Sequence, residues 1–226
     1  MPLRDRAISA AVEDYAKAIY ALETRDQGSV HTNAIAERLG VTPASASGMV
    51  RKLAELGLVS HQPYKGVALT AEGARVALEV IRHHRLLELY LARDLGVPWD
   101  RVHDEAEVLE HVLSEELEEL IAAKLGHPTR DPHGDPIPTR ELVIEERPTT
   151  SLATLAVGAT GIFSRISDAD PAMLRYLADR GIAPGAAFEI VDSQPFDGPL
   201  FARFGEQVHV LGGQLAQAMR VEVEAR

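Results

Sequence analysis

Thr32-Asn-Ala-Ile-Ala-Glu-Arg-Leu39-Gly-Val-Thr42-Pro43-Ala-Ser-Ala-Ser-Gly-Met-Val50 is the stretch that decides the fold. Thr32 is a natural helix cap, and Ala34, Ile35, Ala36 and Leu39 give a short helix one apolar side. Gly40-Val41 is the turn. Thr42 is a second hydroxyl cap, and Pro43 opens the next helix, because proline at a first helical position gives up only an N–H that has no helical partner. That helix runs to about Leu56, and Gly57 to Thr70 then reads as two short strands around Pro63-Tyr-Lys-Gly66. Helix, turn, helix and hairpin is the order of a winged helix-turn-helix, whose second helix enters the major groove of DNA. Helical hairpins of all-α proteins imitate the bare pattern; the wing and the small, hydroxyl-rich second helix favour the DNA reading. Small side chains let the backbone approach the groove floor. The expected contacts are Thr32, Thr42, Pro43, Ala44, Ser45 and Ser47, with Arg51, Lys52 and Lys65 reaching phosphates.

Upstream, a helix from Asp5 or Ser9 to Leu22 keeps helical period through Ala11, Tyr15, Ala18 and Ile19, before a polar break at Thr24 to Ser29. Downstream, one long helix is expected from Thr70 to Leu95. A second is capped by Asp100, runs to Leu125, and is closed by Gly126 and Pro128. Residues 127–148 are rich in Pro and read as an ordered loop and linker. From Thr149 the texture becomes short β-type runs (Ile162-Phe163, Ala187 to Val191, Leu200 to Phe204, Val208 to Leu211 and Met219 to Val223) with one short helix at Pro171 to Arg180. That is the composition of a small β-barrel.

The second long helix carries an unusual stripe. His103, Glu107, Glu110 and His111 stand at i, i+4, i+7 and i+8, and His84 and Glu88 lie one turn apart on the helix before. Such a stripe faces water or faces a cation. The chain has no cysteine, which removes disulfides, iron–sulfur clusters and thiolate zinc sites, and leaves Mn, Fe(II), Co, Ni or Zn in mixed nitrogen and oxygen sites. Leu109, Val112, Leu113, Leu117 and Leu120 give the same helix an apolar face suited to a second subunit. The net charge of −11 is uneven: residues 1–70 hold 8 Lys and Arg against 7 Asp and Glu, residues 71–140 hold 8 against 15, and residues 141–226 hold 7 against 12. The DNA motif therefore sits in the near-neutral part, and specificity must come from groove contacts and paired copies rather than bulk charge. No run approaches the ~18 apolar residues that span a bilayer, and the N-terminus lacks a signal-peptide pattern, so a cytoplasmic location is expected.

The whole chain resembles the diphtheria-toxin-repressor family in its three-domain form. The segments that carry the likeness are Val12 to Leu22, Val41 to Val50, His84-Arg-Leu-Leu-Glu88, Val102 to His111 and Pro132-His-Gly-Asp-Pro-Ile-Pro138, with the Ala183-Pro-Gly185 turn carrying the last third. The resemblance implies a mainly α fold with a small β domain: a winged helix-turn-helix over 1–74, a helical metal-binding and dimerisation domain over 75–147 and an SH3-like domain over 148–226. It implies a primary metal site at Asp14, Glu107, Glu110 and His111. It implies a second site at His84, Glu88 and His103, completed by a carboxylate of the SH3-like domain, with Asp170 first choice and Asp168 next. Iron-type members carry Met and Cys where this chain has Asp14 and Glu107, so the ligand set is of the manganese type. Oxygen-rich sites also suit Mn(II) on chemical grounds. Two-domain manganese members carry a Glu where this chain has Lys17, so two separated sites are expected rather than a close metal pair.

Plainer readings stand beside these. The stripe can be a solvated helix face, Asp14 an exposed carboxylate paired with Lys17, and Asp168 or Asp170 a cap before Pro171. His83 is taken as a surface neighbour, and His31, His61, His127, His133 and His209 as structural. The expectation is a homodimeric Mn(II)-dependent repressor of double-stranded operator DNA, with no enzymatic activity, membrane association or organic cofactor. Fe(II) is the alternative metal, and Co, Ni, Zn or Cd can substitute in vitro. A regulator answering a small organic ligand and a non-haem metalloenzyme are the other classes, the latter disfavoured because paired Glu-x-x-His helices are missing.

Overall fold

The computed structural model describes residues 8–62, 66–196 and 198–223, and of His61 and Gln62 only the backbone. The chain divides into two compact units: residues 1–83 with 110–113 and 138–143, and residues 84–109 with 114–137 and 144–226.

The first unit opens with α1 (Ala10–Asp26), α2 (Thr32–Arg38) and α3 (Pro43–Glu55), followed by the antiparallel hairpin β1 (Val59–Gln62) and β2 (Gly66–Leu69), and takes in the start of α4 (Ala71–Asp94). Its core is Val12, Tyr15, Ala16 and Ile19 of α1 packed with Ile35, Leu53, Leu58 and Val67. Helix α1 continues four residues past the expected Leu22 and stops where Gln27 turns left-handed, φ 52°. Ser9 precedes it without a side-chain cap bond, and Asp5 lies outside the described residues. Thr32 is the first residue of α2 rather than its cap, a place taken by His31. The Thr42 cap forms as expected, its hydroxyl accepting from the Ser45 N–H at 3.2 Å. Lys65, with Pro63 and Tyr64, lies outside the described residues.

The second unit holds the rest of α4, then α5 (Val102–Leu109), α6 (Glu115–Leu125), the loop 126–137 and a six-stranded antiparallel sheet. The strands are β3 (Thr150–Ser151), β4 (Thr160–Arg165), β5 (Ala187–Ser193), β6 (Leu200–Phe204), β7 (Gln207–Leu211) and β8 (Arg220–Val223), in the order β3-β8-β4-β5-β6-β7, with α7 (Pro171–Ala178) and α8 (Gly213–Ala218) between them. Leu152, Phe163, Leu174, Leu177, Ile190 and Val221 fill its core.

The continuous helix expected from Asp100 to Leu125 is two helices. Helix α5 ends at Leu109, Glu110 to Val112 form a turn, and Ser114 starts α6 by accepting the Leu117 N–H on its hydroxyl at 3.2 Å. A serine side chain competes for backbone N–H groups inside a helix and caps one readily. Asp100 does not begin α5; its carboxylate meets Arg175 at 3.0 Å. The break separates the stripe, leaving His103 and Glu107 on α5 and placing Glu110 and His111 in the turn. No helix among the described residues is long and apolar enough to cross a membrane.

Candidate metal centres and DNA-reading helix

In the first unit, Tyr15, Ala16 and Ile19 turn one side of α1 into the core, and Glu13, Asp14 and Lys17 lie outside that side. His111 comes to them from the turn after α5. Its Nε2 is 2.9 Å from Asp14 Oδ1 and 3.5 Å from Glu110 Oε1, while its Nδ1 is 2.5 Å from Glu13 Oε2. One nitrogen thus faces two acids and a third acid holds the other. A histidine whose far nitrogen is held by a carboxylate has its tautomer and ring plane set for metal ligation. Asp14, Glu110 and His111 offer ligand atoms within 4.8 Å of one another, and an imidazole with hard oxygens fits a first-row divalent ion. The Glu110 side chain is fully buried and meets the Lys17 ammonium at 2.7 Å. Sequence spacing missed Glu13, because neighbours on a helix point ~100° apart; only a ring offering two nitrogens reaches both. Glu13→Gln is expected to weaken metal binding here by about 10–100-fold, read by calorimetric titration; an unaltered affinity would remove the orienting role. His83, expected at the surface, is 2 % exposed, with Nδ1 3.2 Å from the Glu110 carbonyl.

Glu107, grouped with Asp14 by the resemblance, finds partners within its own unit at His84 Nδ1 (3.8 Å) and His103 Nε2 (3.7 Å). There α4 presents His84 and Glu88 one turn apart, and α5 brings His103. Glu88 Oε1 is 3.0 Å from His84 Nε2 and 3.4 Å from His103 Nδ1, and His103 Nδ1 is 2.8 Å from Asp168 Oδ2. The preference for Asp170 is corrected. Pro171 takes the first position of α7, which makes Asp170 the cap, and its Oδ1 accepts from the Ala172 and Met173 N–H groups at 2.9 and 3.3 Å. Asp168, two residues earlier, is the acid that meets the imidazole.

Two residues the sequence left aside also reach this cluster. His133 is 1 % exposed, with Nδ1 3.5 Å from Glu88 Oε2 and Nε2 2.7 Å from the Trp99 carbonyl. Asp131 Oδ1 accepts the N–H groups of His133 and Asp135 at 2.8 and 2.9 Å. Gly134 permits this loop, since its φ is +88° and a Cβ would stand 1.9 Å from the Ser164 carbonyl oxygen. The signal in the sequence was Asp131-Pro-His-Gly-Asp135 itself, a turn-forming run spaced unlike any helical ligand pair.

Charge follows geometry. Burial would raise the Glu88 carboxyl, but hydrogen bonds from His103, His133 and His84 outweigh it and hold the group far below the carboxylate range. The hydrogen bond to Asp168, then Glu88, pushes His103 up to about 10, and Asp168 is lowered by the same bond. Burial opposes protonation of His133, yet the Glu88 contact raises it to about 9. Burial, then the charges of Asp135 and Glu88, lift Asp131 to about 8. A metal needs the lone pair His103 gives its proton. Below pH 10 that proton must leave, so affinity at this cluster is expected to rise with pH, by up to about tenfold per unit between pH 6 and 9. Titrations in buffers of different ionisation enthalpy would register the released proton; pH-independent binding contradicts the assignment.

On α3, Ala46, Val50 and Leu53 are buried, whereas Thr42, Pro43, Ala44, Ser45, Ser47, Arg51 and Lys52 are exposed. Ala44, Ser47 and Arg51 share one face at i, i+3 and i+7. Ser45 is held by its cap, Oγ to Thr42 Oγ1 at 2.9 Å. Thr32 is half-buried at the start of α2.

Comparison with known proteins divides the chain into three segments. Residues 7–67 match the model of the iron dependent repressor N-terminal DNA binding domain, residues 70–139 that of the iron dependent repressor metal binding and dimerisation domain, and residues 150–223 that of the FeoA domain. The iron-dependent repressor IdeR of Mycobacterium leprae is 31% identical over 93% of this chain and 96% of its own length. The diphtheria toxin repressor of Corynebacterium glutamicum is 31% identical over 93% and 95%. A solved structure of a manganese-dependent transcriptional repressor in complex with manganese is 44% identical, with a TM-score of 0.83 over 94% of this chain and 100% of that one.

Proposed function

The chain belongs to the iron-dependent repressor family and is a metal-dependent transcriptional repressor, not an enzyme; from that membership we propose that the metal it answers is Mn(II). The observation that carries this reading is the donor set of the first centre: Asp14, Glu110 and His111, oxygen and nitrogen only. By the resemblance, Asp14 and Glu107 stand where iron-type members use sulfur. Weakly binding Mn(II) is served best by such hard donors, and a relative named for manganese dependence supports it. Fe(II) is the second reading, favoured by curated relatives named as iron-dependent.

When bound, the ion would supply positive charge between acids that otherwise repel. Asp14 then stays close to the turn carrying Glu110 and His111, which sets the position of α1 beneath the DNA-reading helix. Glu13 orients the imidazole. Lys17 is a fixed ammonium on Glu110 that opposes a second ion, so one ion is assigned to this centre. His84, Glu88, His103 and Asp168 would hold another.

In this proposal residues 1–74 read double-stranded operator DNA through α3, residues 75–147 bind metal and pair two copies, and residues 148–226 form the SH3-like part of a cytoplasmic homodimer. Val108, Val112, Leu117 and Leu120 are 49–76 % exposed in the single chain, and large apolar side chains left in water favour a partner surface. A homodimer would set its two reading helices about one DNA turn apart, ~34 Å. The test is an anaerobic anisotropy titration on a duplex selected with the Mn(II)-loaded protein. Asp14→Met combined with Glu107→Cys should move the response towards Fe(II) or Co(II), and an unmoved metal preference ends the manganese claim.

A further inference from the structure

We propose that Trp99 is a positioning residue for Asp168: its indole docks α7, so that the turn leading into that helix holds Asp168 against His103. This rests on reading His84, Glu88, His103 and Asp168 as a metal centre. Asp168 is distant in sequence from the other three, and it lies in a turn between β4 and α7. Aspartate is a short side chain, so its reach is set by where its backbone stands.

Both ends of that turn are tethered, and both tethers lead to one pair of residues. Upstream, the Ile166 N–H donates to the His133 carbonyl at 2.9 Å. Downstream, Trp99 Nε1 donates to the Leu174 carbonyl of α7 at 3.2 Å. Beside it the Asp100 carboxylate, its side chain 8 % exposed, meets Arg175 of the same helix at 3.0 Å. Trp99 and His133 are themselves joined. Their rings stack with centres 5.8 Å apart and planes 17° from parallel, and His133 Nε2 donates to the Trp99 carbonyl at 2.7 Å. The indole also packs against the apolar core that contains Leu174 and Leu177.

The order of these contacts fixes where the carboxylate stands. Trp99 leads into α5, which carries His103, and Asp168 leads into α7, which carries Leu174. The two segments therefore pass one another in opposite sense, meeting at Trp99 and Leu174 at one end and at His103 and Asp168 at the other. Between those contacts the Asp170 cap sets how the turn joins the helix. A helix is stiff, so freeing α7 at Leu174 displaces the carboxylate at the other end. The competing role for Trp99 is apolar filling alone, which would change stability and leave metal affinity where it was.

The test is a double-mutant cycle on Mn(II) affinity, measured by calorimetric titration of the full-length protein carrying His111→Ala, which removes a ligand of the first centre. Trp99→Ala should weaken binding by about 10–100-fold, the usual loss when a group that orients a ligand is removed. In Asp168→Ala protein the same change should have little further effect, because the carboxylate it places is already gone. Equal losses with and without Asp168, or no loss in a folded Trp99→Ala protein, overturn the proposal and leave the centre standing. Wild-type affinity in Asp168→Ala overturns the reading of the centre, and the proposal with it. Should Trp99→Ala fail to fold, Trp99→Phe keeps the stack and the apolar filling and loses only the Nε1 donor. It should weaken Mn(II) binding about fivefold when Asp168 is present, the contribution of one net hydrogen bond, and not when Asp168 is absent; unchanged affinity with Asp168 present overturns the proposal.

Discussion

His111→Ala is expected to lose at least about a hundredfold in Mn(II)-dependent operator affinity while its circular dichroism spectrum and melting curve stay close to wild type. An ion at about 100 times its dissociation constant stabilises the state it binds by ~2.7 kcal/mol, and loss of that term moves a balanced two-state equilibrium by the same hundredfold. His111 is the right place to remove it. Its Nε2 is the atom on which Asp14 and Glu110 converge, and its Nδ1 is held by Glu13. The residue lies in a turn rather than within a helix. Glu110 is a poorer choice, because the ammonium of Lys17 rests on its buried carboxylate at 2.7 Å and deletion breaks that ion pair as well as the centre. A gel-shift titration of His111→Ala that follows the wild-type metal curve would remove the first centre from the mechanism.

The contrast between Asp168 and Asp170 is expected to be nearly all-or-none at the second centre. Asp168→Ala should abolish tight Mn(II) retention there, since the acid 2.8 Å from His103 Nδ1 is gone. Asp170→Ala should keep the full manganese count and lose about 1 kcal/mol of stability, the usual cost of a missing helix cap. Both variants are read by metal content after dialysis and by thermal melts. The assignment fails if the two exchange outcomes, with Asp170→Ala metal-poor and Asp168→Ala merely less stable.

Much of this was legible along the chain. Thr42-Pro43 signals a helix start by local chemistry, and the hydroxyl bond to Ser45 forms as read. The β-type runs after Thr149 became β4 to β8 within a few residues of their expected bounds. His84 and Glu88, one turn apart on one helix, do meet, at 3.0 Å. Each of these depends on neighbours within about one turn or one strand, where periodicity and capping suffice.

What needed the folded chain was every pairing across long separations. The stripe His103, Glu107, Glu110 and His111 is one line only if the helix is unbroken, and the chain breaks it between α5 and the Ser114 cap, leaving His103 beside Glu107 and His111 beside Asp14. Glu13 joins His111 across 98 positions of chain, and no spacing rule relates them. Asp168 and Asp170 are indistinguishable as letters; Pro171 commits one to backbone N–H groups and leaves the other for His103. His133 was a lone histidine until loop 131–138, admitted by Gly134 against the Ser164 carbonyl, carried it to Glu88. Local sequence set the helices, strands and caps because those follow from short-range sterics and hydrogen bonding. Packing alone decided which acid faces which imidazole, because side chains far apart in the chain acquire distances, burial and shifted charge only once the core has brought them together.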